Sequence, residues 1–173
     1  MALRADAAPF VDPASGFKVD PPSSFVVRPA KSSTYDIAVA INSLDGTPPL
    51  GIEDDYLCQV GFKAQPENAD LAQEEINLQV EKPQWLDDAA QALSQTFTIT
   101  GKATFVLDGA TGIELVGTPK DTAHASGVFV SMIDTPKGRT TLNCATRPEA
   151  LEAAVNQFRL IRSGITPPGT RAQ

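Results

Sequence analysis

The sequence predicts an α+β fold built on an antiparallel sheet flanked by helices, and three observations carry that prediction. Short alternating apolar segments rich in β-branched residues occupy both the early and the late parts of the chain. Two helical patterns interrupt them in the middle. The last strand pattern, over 139–146, runs straight into an amphipathic helix over 147–164, and such a helix must bury its stripe on a sheet. Fourteen Pro and twelve Gly supply the turns between many strands.

In chain order, Gly16-Phe17-Lys18-Val19 reads as a short strand, Pro21-Pro22 as a turn and Ser24 to Val27 as a second strand. Thr34 to Asn42 alternates cleanly, with Tyr35, Ile37, Val39 and Ile41 on one side. Ser43 to Asp55 is loop, punctuated by Asp45-Gly46, Pro48-Pro49 and Gly51. The strand from Tyr56 to Ala64 places Tyr56, Cys58, Val60 and Phe62 together. Asn68 or Asp70 can cap a helix running to about Val80, with Leu71, Ile76 and Val80 as its apolar contacts. Pro83 opens the next helix, where Trp85, Leu86, Ala89, Ala90 and Leu93 share a face. Strands follow over Thr98 to Leu107, Ile113 to Gly117 and Gly127 to Ile133, the first two joined by a turn from Asp108 to Gly112. Asp134 to Gly138 turns into the final strand, a hairpin. That strand sets Thr140, Leu142 and Cys144 on one face. The final helix starts with Thr146 and Glu149 in capping-box spacing and Pro148 in the first turn. Leu151, Ala154, Val155, Phe158 and Ile161 form its stripe, and Gly164 stops it. The sequence shows no repeat or low-complexity tract.

The 173 residues are one domain's worth and can bury a sizeable core. Three parts are expected: an N-terminal remnant at 1–9 lacking order, a single domain at 10–165 and a loose tail at 166–173. No apolar run approaches the ~20 residues that span a bilayer. A net charge of −7 argues against a nucleic-acid partner. The charge is uneven, −9 over residues 1–88 and +2 over 89–173. That asymmetry suits two faces of different sign that orient a partner, or simply a solvated surface.

Ala5-Asp6-Ala7 matches the small-x-small pattern left near a signal-peptidase site, with Met1 replacing an export signal. Periplasmic or extracellular residence is therefore expected, against an ordinary cytosolic N-terminus. In an exported protein the two cysteines, Cys58 and Cys144, both on inward-looking strand faces, read as a disulfide. It would close a loop of about 86 residues and contribute ~4–5 kcal/mol in the chain-entropy picture. The alternative is two separate buried thiols. No Cys-x-x-Cys is present, so redox catalysis is not expected.

The Gly-Phe-x-Val-x-x-Pro opening at Gly16, the mid-chain helix pair and the closing strand-plus-helix resemble the PsbP-like α/β/α sandwich. Extrinsic proteins of photosystem II, Ran-binding Mog proteins and many exported bacterial proteins share that fold. The closing Thr135-Pro-Lys-Gly-Arg-Thr-Thr-Leu-Asn-Cys-Ala-Thr146 is similar to small periplasmic proteins of α-proteobacterial type. The resemblance spans residues 10–165, with Phe25 in the place of the aromatic that usually follows the opening proline turn. It implies the fold and a tendency to bind partners, and it brings no common catalytic motif.

The candidate chemistry is sparse. His124 is the only histidine, and a hydrolase reading would pair it with Ser126 or a cysteine and orient it with Asp121. Residues so close along one loop rarely reach triad geometry, and Gly-x-Ser-x-Gly is absent. One histidine and two inward cysteines do not make a zinc site. Glu53-Asp54-Asp55 and Asp87-Asp88 lack the alternating spacing of a calcium loop. Lys137-Gly138-Arg139-Thr140 is part of a phosphate-loop pattern but sits in a hairpin, so no cofactor is expected. Gln73 and Asn77, one turn apart and followed by Trp85, can line a ligand or peptide pocket, or serve packing alone. The expected function is that of a non-catalytic exported accessory or interaction protein with a protein partner. The alternative is a periplasmic carrier of a small apolar or amphipathic ligand, and a hydrolase using His124 is the remote third.

Overall fold

The computed structural model describes residues 8–52, 54–121 and 125–170. A seven-stranded antiparallel sheet forms its centre, in the order β3-β4-β5-β9-β8-β7-β6. Its strands are β3 (Phe25–Pro29), β4 (Ile37–Ser43), β5 (Cys58–Ala64), β6 (Phe97–Leu107), β7 (Ala110–Pro119), β8 (Gly127–Thr135) and β9 (Gly138–Thr146). A small sheet joins β1 (Phe10–Asp12), β2 (Phe17–Val19) and β10 (Ile165–Thr166). The helices are α1 (Gln73–Val80), α2 (Pro83–Leu93) and α3 (Leu151–Ser163).

Period-two patterning explains both faces of the large sheet. Partners in register share a face, so Val39, Val60, Leu142 and Ser131 point one way, as do Ile41, Cys58, Cys144 and Phe129. Against this face lies α3 with Leu151, Ala154, Phe158 and Ile161, and the core is completed by Phe17, Val19 and Ile165 of the small sheet. The opposite face carries α1 and α2, where Ile76 and Val80 meet Ile113, and Leu86, Ala89 and Met132 close around them.

Several local expectations change in the structure. Thr146 does not cap the last helix. It pairs with Gly127 at the end of β9, and its hydroxyl donates to Pro49 O at 2.7 Å. Sheet pairing and that bond outcompete the capping box. Pro148 and Glu149 instead form a 3-10 turn, and α3 starts at Leu151 without a side-chain cap. Neither Asn68 nor Asp70 caps α1. Asn68 ends a 3-10 turn and donates to Gln65 Oε1 and Thr135 O, while Glu75 accepts from the Ala72 N–H at 2.9 Å. Tyr35 precedes β4 and lies over Gly61, on the face opposite Val39 and Ile41, and Tyr56 precedes β5 rather than sharing the Cys58 face. The turn after β6 contracts to Asp108-Gly109 with φ of 50° and 80°, the two-residue hairpin that Asp-Gly favours, and Ala110 to Gly112 belong to β7.

The segment expected to be loose from Thr166 is held as far as Thr170. Ile165–Thr166 pairs with β2, Pro167 and Pro168 are buried, and Thr135 Oγ1 donates to Pro168 O at 2.6 Å. Residues 171–173 and the Ala5-Asp6-Ala7 pattern lie outside the described residues.

Candidate functional site

A sheet of seven strands at a spacing of about 4.8 Å is about 29 Å wide, whereas two packed helices cover about 20 Å. Since α1 and α2 pack mainly on β6, β7 and β8, no helix of the described residues packs to the same extent on that face of β9, β5 and β4. The burial pattern records this. In β8 and β9 the residues facing α3 are buried, while on the other face Val128, Val130, Met132, Arg139, Asn143 and Ala145 are half-buried and only Asp134 and Thr141 are closed.

The wall of this open strip is α2. It is strongly amphipathic, yet Ala90 is its only buried residue, and Trp85 is 36% exposed. Two adjoining clefts lie along it. The first, about 390 Å³, runs between Trp85, Asp88, Ala89 and Ala92 of α2 and Met132, Asp134 and Arg139 of the floor. The second, about 320 Å³, is lined by Leu93, Phe97, Val128, Val130, Gln59 and Asn143, with Asp54 and Tyr56 from the loop before β5. Their floors occupy successive same-facing positions of β8 and β9, so together they form one groove about 20 Å long.

Its polar groups are fixed by their partners. Gln59 stands opposite Asn143 in the β5–β9 register, and the Asn143 amide donates to Tyr35 Oη at 3.1 Å. The Tyr35 ring lies over Gly61, where an added Cβ would come within 2.2 Å of the ring, so glycine is what lets the ring lie flat on the floor. Arg139 forms a bidentate pair with Asp134, at 2.7 and 2.8 Å, and its guanidinium sits 5.9 Å from the Trp85 ring centroid. The hydrogen bonds Arg139 donates to Asp134, opposed by burial and reinforced by the Asp134 charge, raise the Arg139 pKa further.

Beneath this floor, on the α3 side, Cys58 and Cys144 face one another in register and form a disulfide, with Cα atoms 4.0 Å apart. The crosslink ties the two central strands of the sheet. In an antiparallel pair, bridging Cys58 to Cys144 puts Gln59 opposite Asn143 on the reverse face. The paired cysteines were therefore the sequence signal for this part of the groove.

The other predicted residues are placed as follows. Gln73 and Asn77 do meet: Gln73 Nε2 donates to Asn77 Oδ1 at 2.9 Å and to Asp134 O at 3.1 Å. Asn77 also accepts from the Thr111 N–H and donates to Gly109 O, both at 2.9 Å. The two amides thus fasten α1 to the neighbouring hairpins, and Trp85 alone of the three lines the groove. Ser126 donates to Asp54 Oδ2 at 2.8 Å and accepts from the Ile52 N–H at 2.9 Å, tying the loop to the start of β8. His124 and Glu53 lie outside the described residues. Asp87 pairs with Lys102 at 2.5 Å. Among the described residues no three His, Cys, Asp or Glu side chains converge on a metal-sized site, and no helix is long and apolar enough to cross a membrane.

No family model and no curated sequence matches the chain. Solved structures do. Cyanobacterial PsbP (CyanoP) from Synechocystis sp. PCC 6803 aligns over 96% of both chains with a TM-score of 0.56 at 12% identity. LpqN, involved in cell envelope biogenesis of Mycobacterium tuberculosis, aligns over 93% of this chain and 90% of its own with a TM-score of 0.57 at 14% identity. Likeness at such low identity is a likeness of backbone, not of sites. The chain has the PsbP-like fold that its opening and closing stretches suggest.

Proposed function

We propose that this protein is a non-catalytic, exported accessory protein that binds a polypeptide partner along the groove beside α2. The observation that carries this reading is the incompletely covered sheet face. An amphipathic helix with one buried residue stands over half-buried Val128, Val130 and Met132, with Tyr56, Phe97 and Trp85 at the margins. Apolar and aromatic groups interleaved with fixed amides suit a protein segment. Export is supported by the buried Cys58–Cys144 disulfide, since such bonds persist in oxidising compartments.

A photo-crosslinking residue at Gln59 or Trp85, compared with one at Glu152 on the exposed side of α3, tests the reading in the source organism. Crosslinks to a polypeptide from the groove positions alone are expected. Equal crosslinking from Glu152 would remove the groove from the argument.

The cleft volumes, about 320 and 390 Å³, favour a second reading as a small-ligand carrier, because they fall within the range of small-molecule sites. Native mass spectrometry of the unreduced protein separates the two. A bound small molecule that is lost on Val130→Arg supports the carrier, and a ligand-free chain supports the interaction protein.

A further inference from the structure

We propose that the segment occupying the α2 groove is cationic, an extended stretch in which Lys or Arg alternates with apolar residues. This names the partner's chemistry and rests on the interaction reading above.

The charge imbalance of the sequence becomes a property of the two sides of the sheet. The span 66–94, which contains α1 and α2, holds seven carboxylates (Glu67, Asp70, Glu74, Glu75, Glu81, Asp87 and Asp88) against Lys82 alone, a net −6. Residues 147–164, which contain α3, hold three Arg and two Glu, a net +1. With Glu114 beneath α3 paired to Arg159 and Arg162, the α3 span carries no excess base, so the acidic surplus belongs to the helices of the groove side.

Three cations of the groove side are matched within the protein, whereas Arg28, in the Gln59–Asn143 row at the β3 edge, and Lys82, at the start of α2, are exposed outside the two clefts. Lys63 pairs with Asp36 at 3.4 Å, Lys102 with Asp87 at 2.5 Å, and Arg139 with Asp134 at 2.7 Å. Asp88, in the wall of the larger cleft, has no ion-pair partner among the described residues; Asp54, which lines the smaller cleft, accepts from Ser126, and Asp55 next to it in the chain is exposed outside the cleft. An acidic partner would meet Asp88 and find, among the described residues that line the two clefts, no base but Arg139, already committed to Asp134. A cationic one would supply a counter-charge to Asp88 in the cleft wall and to exposed Asp55 close by the smaller cleft, while its apolar residues would lie on Val128, Val130, Met132 and Ala89. The arrangement also suits steering, because like-signed charges spread over one face draw an oppositely charged segment towards it.

Trp85 is the only tryptophan of the chain, so its emission reports on the groove without a label. The protein is titrated with a peptide of about eight residues alternating Lys and Leu, long enough for a floor of about 20 Å, and with peptides carrying Glu or Ser in place of Lys. Expected are a change in Trp85 emission and amide shifts at Gln59, Val130 and Asn143 with the Lys peptide, and little change with the Glu peptide. Affinity should fall about tenfold or more as salt rises from low to high concentration. The double variant Asp55→Lys/Asp88→Lys should weaken binding by about tenfold or more, and Glu152→Lys on α3 should not. Equal binding of the Glu or Ser peptide, or an unaltered affinity in the double variant, would overturn the cationic assignment and leave the interaction reading standing. Silence of Trp85 and of those amides towards all three peptides would overturn it too, and the crosslinking comparison would then decide separately whether the groove binds protein at all.

Discussion

The two faces of the central sheet are built to different standards. On one, α3 buries Leu151, Ala154, Phe158 and Ile161, each at most 3% exposed, against fully closed strand positions. On the other, α2 buries Ala90 alone, and Val128, Val130 and Met132 beside it stay half-open. Polar groups differ in the same way. Glu114 is buried under α3, where Arg159 and Arg162 neutralise it and Arg162 stacks 3.7 Å from the Phe105 ring centroid. The groove face keeps Gln59, Asn143 and Asp88 within reach of solvent. The α3 side stabilises the fold, and the α2 side is left available for recognition.

This contrast can be broken by measurement. The largest effect is expected from the crosslink that holds the two central strands. Replacing both Cys58 and Cys144 with Ala opens an 86-residue loop and should cost about 4–5 kcal/mol in urea unfolding. Phe158→Ala, which removes a fully buried ring packed on Phe129 at 5.7 Å, should cost about 3–5 kcal/mol. A cost below about 1 kcal/mol would mean that the α3 side is no firmer than the other.

Glu114→Gln should cost less, about 1–2 kcal/mol, because Arg159 is partly exposed to solvent. It should also change the pH profile. Burial opposes ionisation of Glu114, but hydrogen bonds and charge from Arg159 and Arg162 outweigh it, so its folded pKa lies below the ordinary value. A depressed carboxyl stabilises the fold above the unfolded pKa, and that contribution is lost as pH falls through the folded one. Asp36 is lowered as well, mainly by the Ala64 N–H, and Asp12 by the Ser15 hydroxyl. The difference between wild type and Glu114→Gln therefore isolates Glu114: their urea midpoints should converge on acidification below the ordinary glutamate range. A constant gap between pH 7 and pH 3 would refute its charged role.

The smallest effect is expected at Trp85. Trp85→Ala should alter stability by about 1 kcal/mol or less, since the ring is partly exposed. A loss matching that of Phe158→Ala would make α2 a core helix and erase the contrast.

Much of this was legible along the chain. Alternation of Val39 with Ile41, and of Leu142 with Cys144, fixed which side of β4 and β9 turns inward, and the stripe from Leu151 to Ile161 identified α3. The cysteines stood on inward faces and are bonded. Legibility failed where a residue's partner is distant. Thr146 satisfies every local rule for a helix cap, yet its hydroxyl goes to Pro49, 97 residues away. Gln73 and Asn77 have the spacing of pocket-lining amides, but their partners include the Thr111 N–H and the Gly109 and Asp134 carbonyls.

The sequence by itself indicated the order of the seven strands of the large sheet and the three helices, and the inward faces of β4, β5, β9 and α3, because periods of 2 and 3.6 residues are written within a few turns of chain. The short strands β1 and β10 and the positions of Tyr35 and Tyr56 escaped it. The sequence also determined the charge surplus of the first half. Only the tertiary structure decided that α1 and α2 share one side of the sheet, that they pack mainly on three strands, and that Tyr35, Tyr56, Gln59 and Asn143 gather beside α2. That decision depends on strand pairing over long separations and on the width of a seven-stranded sheet relative to two helices, neither of which has a local signature.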